Sequence, residues 1–158
     1  MTSATCLPAS QHSLEELSMT FVSPEPNAFA DAGEKKYAVT RNLAELLWIQ
    51  YPGHFNQALS KAIVTPETVG SRFFDHRISC YEPGAHVESH SHKVQEQIYH
   101  VLSGEGILTV DGERRLVRAN DVTYIPPGVV HEFHCTGTDT LTFLVITSPP
   151  TDDEPQPR

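Results

Sequence analysis

Histidine spacing gives the clearest chemical signal in this sequence. Four of the nine histidines fall between His86 and His100, and two of these, His90 and His92, are separated by a single residue. In a β-strand, residues two apart share one face and lie about 6.6 Å apart, so both imidazoles can reach one metal ion. Imidazole binds iron, nickel, zinc and copper. The pair therefore indicates a transition-metal site, although two hydrogen-bonded surface histidines would give the same pattern.

The residues around this pair resemble the first of the two sequence motifs of the cupin superfamily. Gly84 is followed after five residues by His90-Ser91-His92, after four more by Gln97 and after six more by Gly104. These are the family's spacings. One residue departs from the pattern, because Gln97 stands where the family usually has a ligating Glu.

A stretch further along the chain resembles the second cupin motif. Asn120 is followed, at the family's spacings, by Pro126-Pro127-Gly128, then by His131 and then by Cys135. Asn120 replaces a turn glycine, and asparagine tolerates positive φ better than other non-glycine residues, so the turn is expected to survive. Cys135 replaces an Asn that helps to close the barrel, and we assign it no chemistry. The resemblance covers residues 62–147.

The two motifs together imply one divalent metal ion held by His90, His92 and His131, with Gln97 as the fourth ligand. Iron(II) is the favoured ion, with manganese, nickel and zinc as alternatives, because imidazole-rich sites suit several of these metals.

The fourth ligand has one competitor in the sequence. Strand alternation places Gln97 and Tyr99 on one face of the strand and Glu96 on the opposite face. In the family pattern, the face with Gln97 and Tyr99 points towards the barrel interior. A bulge before the strand would bring Glu96 inwards instead, because the family also allows the shorter spacing. Gln97 is favoured and Glu96 stays open.

Three further residues are predicted to line a substrate pocket. Tyr99 and Phe133 share strand parity with the ligands Gln97 and His131. Arg77 lies on the strand before the first motif, where it is predicted to contact an anionic substrate or, alternatively, to form a salt bridge.

Short β-rich runs separated by turn residues fill the chain from Lys61 to Thr147, and Asp111-Gly112 between two of them is a strong hairpin signal. Together with the resemblance, this pattern predicts an all-β fold: a cupin-type double-stranded β-helix, or jelly-roll barrel, with an N-terminal extension. The predicted divisions are an arm over residues 1–60, the barrel over 61–148 and a Pro-rich acidic tail over 149–158. Within the arm, Asn42–Ile49 has the spacing of a short amphipathic helix.

Composition limits the partners. The net charge of −9 argues against nucleic acid or a membrane surface, because both are polyanions. No signal-peptide pattern or apolar span is seen, so a cytoplasmic protein is expected. Three widely spaced cysteines are interpreted as thiols. Because cupin sheets leave edges and an apolar outer face exposed, we expect a homodimer to which residues before Lys61 contribute.

Three functions fit this site. The first is a mononuclear iron dioxygenase acting on a small enolisable or aromatic substrate, which is placed slightly ahead because three-His cupins with aromatic pockets often use iron. The second is a non-redox Lewis-acid isomerase or lyase acting on a small anionic substrate, an oxo-acid or a uronate. The third is a cupin that binds or senses a ligand without catalysis.

Overall fold

Short runs of alternating apolar and polar residues, separated by turn residues, form ten strands in the computed structural model, which describes residues 38–153. The elements, in chain order, are a 3₁₀ turn Leu43–Glu45, β1 His54–Phe55, β2 Ala58–Val64, α1 Pro66–Val69, β3 Asp75–Tyr81, β4 His86–His90, β5 Glu96–Ser103, β6 Glu105–Val110, β7 Glu113–Arg118, β8 Val122–Ile125, β9 His131–Cys135 and β10 Leu141–Ser148.

Within residues 38–153 the strands form two five-stranded antiparallel sheets that face each other. One has the order β1-β4-β9-β6-β7 and the other the order β2-β3-β10-β5-β8. Sequence neighbours such as β4 and β5 lie in different sheets, so the chain crosses repeatedly between the two layers. This is the arrangement of a jelly roll. The predicted cupin-type all-β fold is confirmed.

Two turns that the sequence predicts have the expected backbone. Asp111 and Gly112 have φ of 49° and 80° and join β6 to β7 through a two-residue loop, as a type I′ hairpin requires. Asn120 has φ of 76°, so it replaces the family's turn glycine without loss of the turn. Gly104 is required for another reason, since a Cβ there would lie 2.5 Å from the backbone oxygen of Thr140.

The core consists of side chains that alternate inwards from both sheets. Tyr81, Phe133 and Phe143 are almost completely buried. Phe143 lies 5.1 Å from Tyr81 and 4.9 Å from Phe133 between ring centroids. Each buried aromatic ring contributes about 1.5–3 kcal/mol relative to exposure. This aromatic layer closes the barrel beneath the cavity described below.

The N-terminal helix predicted over Asn42–Ile49 is not formed. Only the 3₁₀ turn at Leu43–Glu45 is present, and Leu47 and Trp48 are exposed. A helix of two turns is stable only when its apolar face packs against a core, and here the segment instead bridges to the edge of β2 through Ile49.

The described part of the chain also bears on three other sequence interpretations. Strands begin at His54, before the predicted barrel start at residue 61. Cys80 and Cys135 are free thiols, whereas Cys6 and most of the predicted arm lie outside the described residues. Among residues 38–153, no helix is long and apolar enough to cross a membrane.

The outer face of the β2-β3-β10-β5-β8 sheet carries a row of exposed apolar residues. Ile98 is paired laterally with Tyr124 on β8 and with Ile146 on β10. Val122 is 62% exposed nearby. A row of exposed apolar side chains can pack against the same row of a second copy about a two-fold axis. The homodimer therefore stays a prediction, with this face as its contact.

Replacing Val122 with glutamate is expected to convert such a dimer to a monomer, because the two-fold axis would bury two new carboxylates against apolar side chains. Light scattering measures this as a fall from about twice the 17.5 kDa chain mass to one chain mass. Leu116→Glu, the same type of change on the outer face of the other sheet, is the control. A wild-type chain that is monomeric at micromolar concentration would contradict the prediction.

Candidate metal centre

Three imidazoles converge inside the barrel. His90 is the last residue of β4, His131 is the first residue of β9, and the two are directly paired across these strands. His92 follows β4 in the loop to β5. One ring nitrogen from each of the three lies within 4.8 Å of the other two. Three imidazoles at this separation can hold one metal ion.

The position of His92 has a different cause from the one that the sequence suggested. The strand β4 ends at His90, so His90 and His92 do not share a strand face. The loop is held from the second motif instead, because the amide of Gly128 donates a 2.7 Å hydrogen bond to the carbonyl oxygen of His92. The His90 and His92 ring centroids are 5.1 Å apart.

Backbone carbonyls select which ring nitrogen faces the centre. Nδ1 of His90 lies 2.8 Å from the carbonyl oxygen of Glu88, and Nδ1 of His131 lies 3.0 Å from that of Val129. A carbonyl oxygen only accepts, so each Nδ1 carries the proton and each Nε2 has a free lone pair. Partners of this kind fix the rings of metal-binding histidines in general.

His92 provides an independent sign that a cation belongs here. Its Nε2 atom is buried and has no hydrogen-bond partner among the described residues. A buried polar atom without a partner costs about 1–3 kcal/mol. A metal ion bound by this nitrogen would remove that cost, so the donor set fits the ion that the sequence motifs imply.

Burial favours the neutral form of two of these imidazoles, His92 and His131. It lowers the pKa of His131 to about 4, against a smaller opposing effect of its hydrogen bond to Val129. Burial also lowers the pKa of His92, and the neighbouring His90 lowers it further. Since only a neutral imidazole offers a lone pair to a metal, the lowered pKa of these two rings favours metal binding.

Gln97 on β5 brings an oxygen to the cluster from the opposite sheet. Its side chain is buried, and its Oε1 lies 3.1 Å from Nε2 of His131 while its amide nitrogen donates to Oγ1 of Thr147 at 3.2 Å. With the proton of His131 on Nδ1, an oxygen lone pair and a nitrogen lone pair face each other. Two acceptors at this distance repel unless a cation lies beside both.

Glu96, the alternative ligand, lies on the outer face of the same strand. It is exposed, and its Oε2 accepts a 2.8 Å hydrogen bond from the hydroxyl of Tyr124. No bulge turns it inwards, because Gln97 and Ile98 pair in regular register with β8.

A cavity of about 230 Å³ opens beside the imidazoles. Tyr99 lines it, as predicted from strand parity, together with Tyr81 and Phe143. Phe133 does not, which corrects the sequence interpretation. It is completely buried and stacks on Tyr99 at 6.0 Å between centroids, so it supports the cavity wall from behind.

Arg77 lies in the cavity wall but its charge is already matched. Its Nε and Nη2 donate to the two carboxylate oxygens of Asp75 at 2.7 and 2.6 Å, and its guanidinium lies 4.4 Å from the centre of the Tyr51 ring. The hydrogen bonds that Arg77 donates to Asp75 raise the pKa of Arg77. The predicted alternative, a salt bridge, is therefore present, and the pair presents a neutral hydrogen-bonding surface to the cavity.

Sequence reasoning missed the polar wall to which this pair belongs. Ser60 on β2 and Ser79 on β3 share a 2.8 Å hydrogen bond between hydroxyls and line the cavity near His54. Neither serine belongs to a motif. The only available signal was strand parity, since Ser79 lies two residues from both Arg77 and Tyr81.

Comparison with known proteins finds a family model and curated relatives that match part of this chain. The family model described as a cupin domain matches residues 77–147. An uncharacterized protein of Methanocaldococcus jannaschii is 37% identical over 65 residues, which are 41% of this chain and 52% of that protein. The oxalate-binding protein of Thermotoga maritima is 34% identical over 64 residues, which are 40% of this chain and 53% of that protein. The matches thus span about half the length of these curated relatives.

A solved structure shares the fold. The crystal structure of a predicted oxalate decarboxylase from Thermotoga maritima matches with a TM-score of 0.64 and 22% identity, and the match covers 70% of this chain and 98% of that one. Identity at this level shows the fold alone.

Proposed function

Because the chain belongs to the cupin superfamily, with its cupin domain at residues 77–147, we propose that it is a metal-dependent enzyme acting without redox chemistry on a small oxo-acid or related enolisable compound. The ligands in this proposal are His90, His92, His131 and Gln97. The observation that carries it is a cluster of three imidazoles beside one small cavity that has a polar wall.

The charge of the donor set favours an anionic or chelating substrate. Three imidazoles and one amide bring no negative charge, so the positive charge of a divalent ion stays uncompensated. When bound, such an ion supplies a Lewis acid that polarises a carbonyl or enol oxygen. The backbone carbonyls of Glu88 and Val129 hold the imidazoles of His90 and His131 in place. The buried aromatic layer of Tyr81, Phe133 and Phe143 keeps bulk water out of the barrel below the cavity.

The polar wall orients the rest of the substrate. The Ser60 and Ser79 hydroxyls donate or accept hydrogen bonds, and the Arg77–Asp75 pair offers both donors and acceptors. A substrate rich in oxygen can bind the donor and acceptor sites that these mutual hydrogen bonds leave free, whereas an apolar substrate would bury those sites without a partner. A relative named as an oxalate-binding protein supports the same class of ligand.

The iron dioxygenase favoured by the sequence is the second candidate. Its supporting observation is the set of aromatic side chains in the same cavity, Tyr81, Tyr99 and Phe143, which can pack against a planar enol or phenol. It ranks second because Phe133, half of the predicted aromatic pair, is not in the wall.

Dependence on oxygen tests the two candidates. Protein loaded with zinc, manganese or nickel is expected to turn over oxo-acids or 1,3-dicarbonyl compounds at the same rate with and without oxygen, because Lewis-acid chemistry consumes none. Product analysis in an anaerobic chamber measures this, with metal-free protein as the control. Activity seen only with iron(II), together with oxygen consumption, would establish the dioxygenase instead. Tight ligand binding without turnover would leave a binding protein.

A further inference from the structure

The loop that carries His92 has no strand of its own to hold it. Residues 91–95 connect β4 to β5 outside both sheets. The bond from Gly128 restrains the backbone at His92 itself. The next three residues therefore need other partners for their amides, because a loop that moves by an ångström carries the imidazole away from the cluster.

Those partners come from the far end of the chain. The carboxylate of Asp152 accepts three successive backbone hydrogen bonds. Its Oδ2 binds the amide of Lys93 at 3.0 Å, and its Oδ1 binds the amides of Val94 and Gln95 at 2.9 and 3.3 Å. Hydrogen bonds to an ionised carboxylate are about twice as strong as neutral ones.

Residues 148–152, here called the C-terminal strap, are fixed at other points as well. The Ser148 hydroxyl donates to the carbonyl oxygen of Phe73 at 2.8 Å, and the side-chain amide of Gln95 donates to that of Pro149 at 3.1 Å. Pro150 borders the cavity. The strap is therefore bound to the barrel at both of its ends, Ser148 and Asp152.

We propose that Asp152 is a positioning residue for the metal centre, which fixes the His92 imidazole by binding the three amides that follow it. Asp152, which lies outside both cupin motifs, thereby restrains His92, the histidine that neither sheet positions. This inference rests on the proposed metal centre for its effect on affinity, but the restraint of the loop is a property of the metal-free chain.

A role for Asp152 in stability alone would have different consequences from a role in positioning His92. If Asp152 only fastened the chain end, its loss would lower stability without changing affinity for metal. If it positions His92, its loss lowers affinity even where the barrel stays folded. Partners that orient metal ligands typically affect affinity about 10–100-fold.

Three variants separate these cases. Asp152→Ala removes all three hydrogen bonds and is expected to weaken cobalt(II) binding about 10-fold or more. Asp152→Asn keeps one oxygen acceptor and is expected to fall between alanine and the wild type. Asp153→Asn removes the same charge from the adjacent exposed residue and is expected to bind like the wild type. Competition with a chromophoric chelator measures the affinities.

Two measurements on metal-free protein complete the test. Hydrogen exchange of the amides of residues 93–95 is expected to accelerate in Asp152→Ala, while β5 and β10 amides stay protected. The ring resonances of His92 are expected to shift in this variant and not in Asp153→Asn.

The outcomes are distinguishable. Equal cobalt affinity in Asp152→Ala and Asp153→Asn would overturn the inference, even if the loop amides exchange faster. A wild-type chain that binds no cobalt would contradict the proposed metal centre, and the His92 resonances would then decide whether Asp152 positions the ring.

Discussion

Alanine in place of His131 is expected to lower the affinity for divalent metal by more than about 100-fold, a larger effect than loss of an orienting partner. His131 is 1% exposed, and its Nε2 faces both the other imidazoles and Gln97. The same loss is expected for His90→Ala and His92→Ala. The β-rich circular dichroism spectrum should persist in each, because the aromatic layer and the strand pairings hold the barrel without metal.

Metal analysis of protein purified without added metal measures this effect. His100→Ala is the matched control, since His100 lies on the outward face of β5, on the other face from Gln97. A variant lacking all three cluster histidines that still retains one ion per chain would show that the metal is bound elsewhere.

Glutamate in place of Gln97 is expected to tighten metal binding about 10-fold and to weaken the binding of anionic substrates. Two unit charges 4 Å apart interact by about 4 kcal/mol at an effective dielectric constant of 20, and burial of the new carboxylate offsets part of this. Thr147 can still bond to the side chain, because its hydroxyl also donates. The Kd for metal should therefore fall while KM for an oxo-acid rises.

Alanine at Gln97 tests the amide itself. Gln97→Ala is expected to lower metal affinity less than the loss of any one histidine, because a neutral amide is a weaker donor to a transition ion than imidazole. Glu96→Gln is the control on the outer face and is expected to change little. Loss of metal in Glu96→Gln with full retention in Gln97→Ala would move the fourth ligand to Glu96.

Spacing along the chain was enough to predict the fold and the three histidines. Two motifs at fixed intervals imply a cupin, and the family model and the two sheets bear this out. The positive φ of Asn120 and the Asp111-Gly112 hairpin followed from residue type. These features are local: a strand's two-residue alternation, a turn's need for positive φ and a motif's spacing are properties of consecutive residues.

Local pattern was not enough where a side chain's surroundings come from elsewhere in the chain. Strand parity places Phe133 inwards but does not say whether an inward residue meets the cavity or the core behind it. The helix predicted over Asn42–Ile49 does not form, because its apolar side chains Leu47 and Trp48 do not pack against the core.

Only the tertiary structure placed His92 in a loop, assembled the polar wall from β2 and β3, and brought Asp152 to the amide of Lys93 across 59 positions of sequence. Contacts at that separation depend on how both sheets close. Pairing across the barrel, and not any property of the C-terminal residues themselves, brings the Asp152 carboxylate to the loop that carries His92.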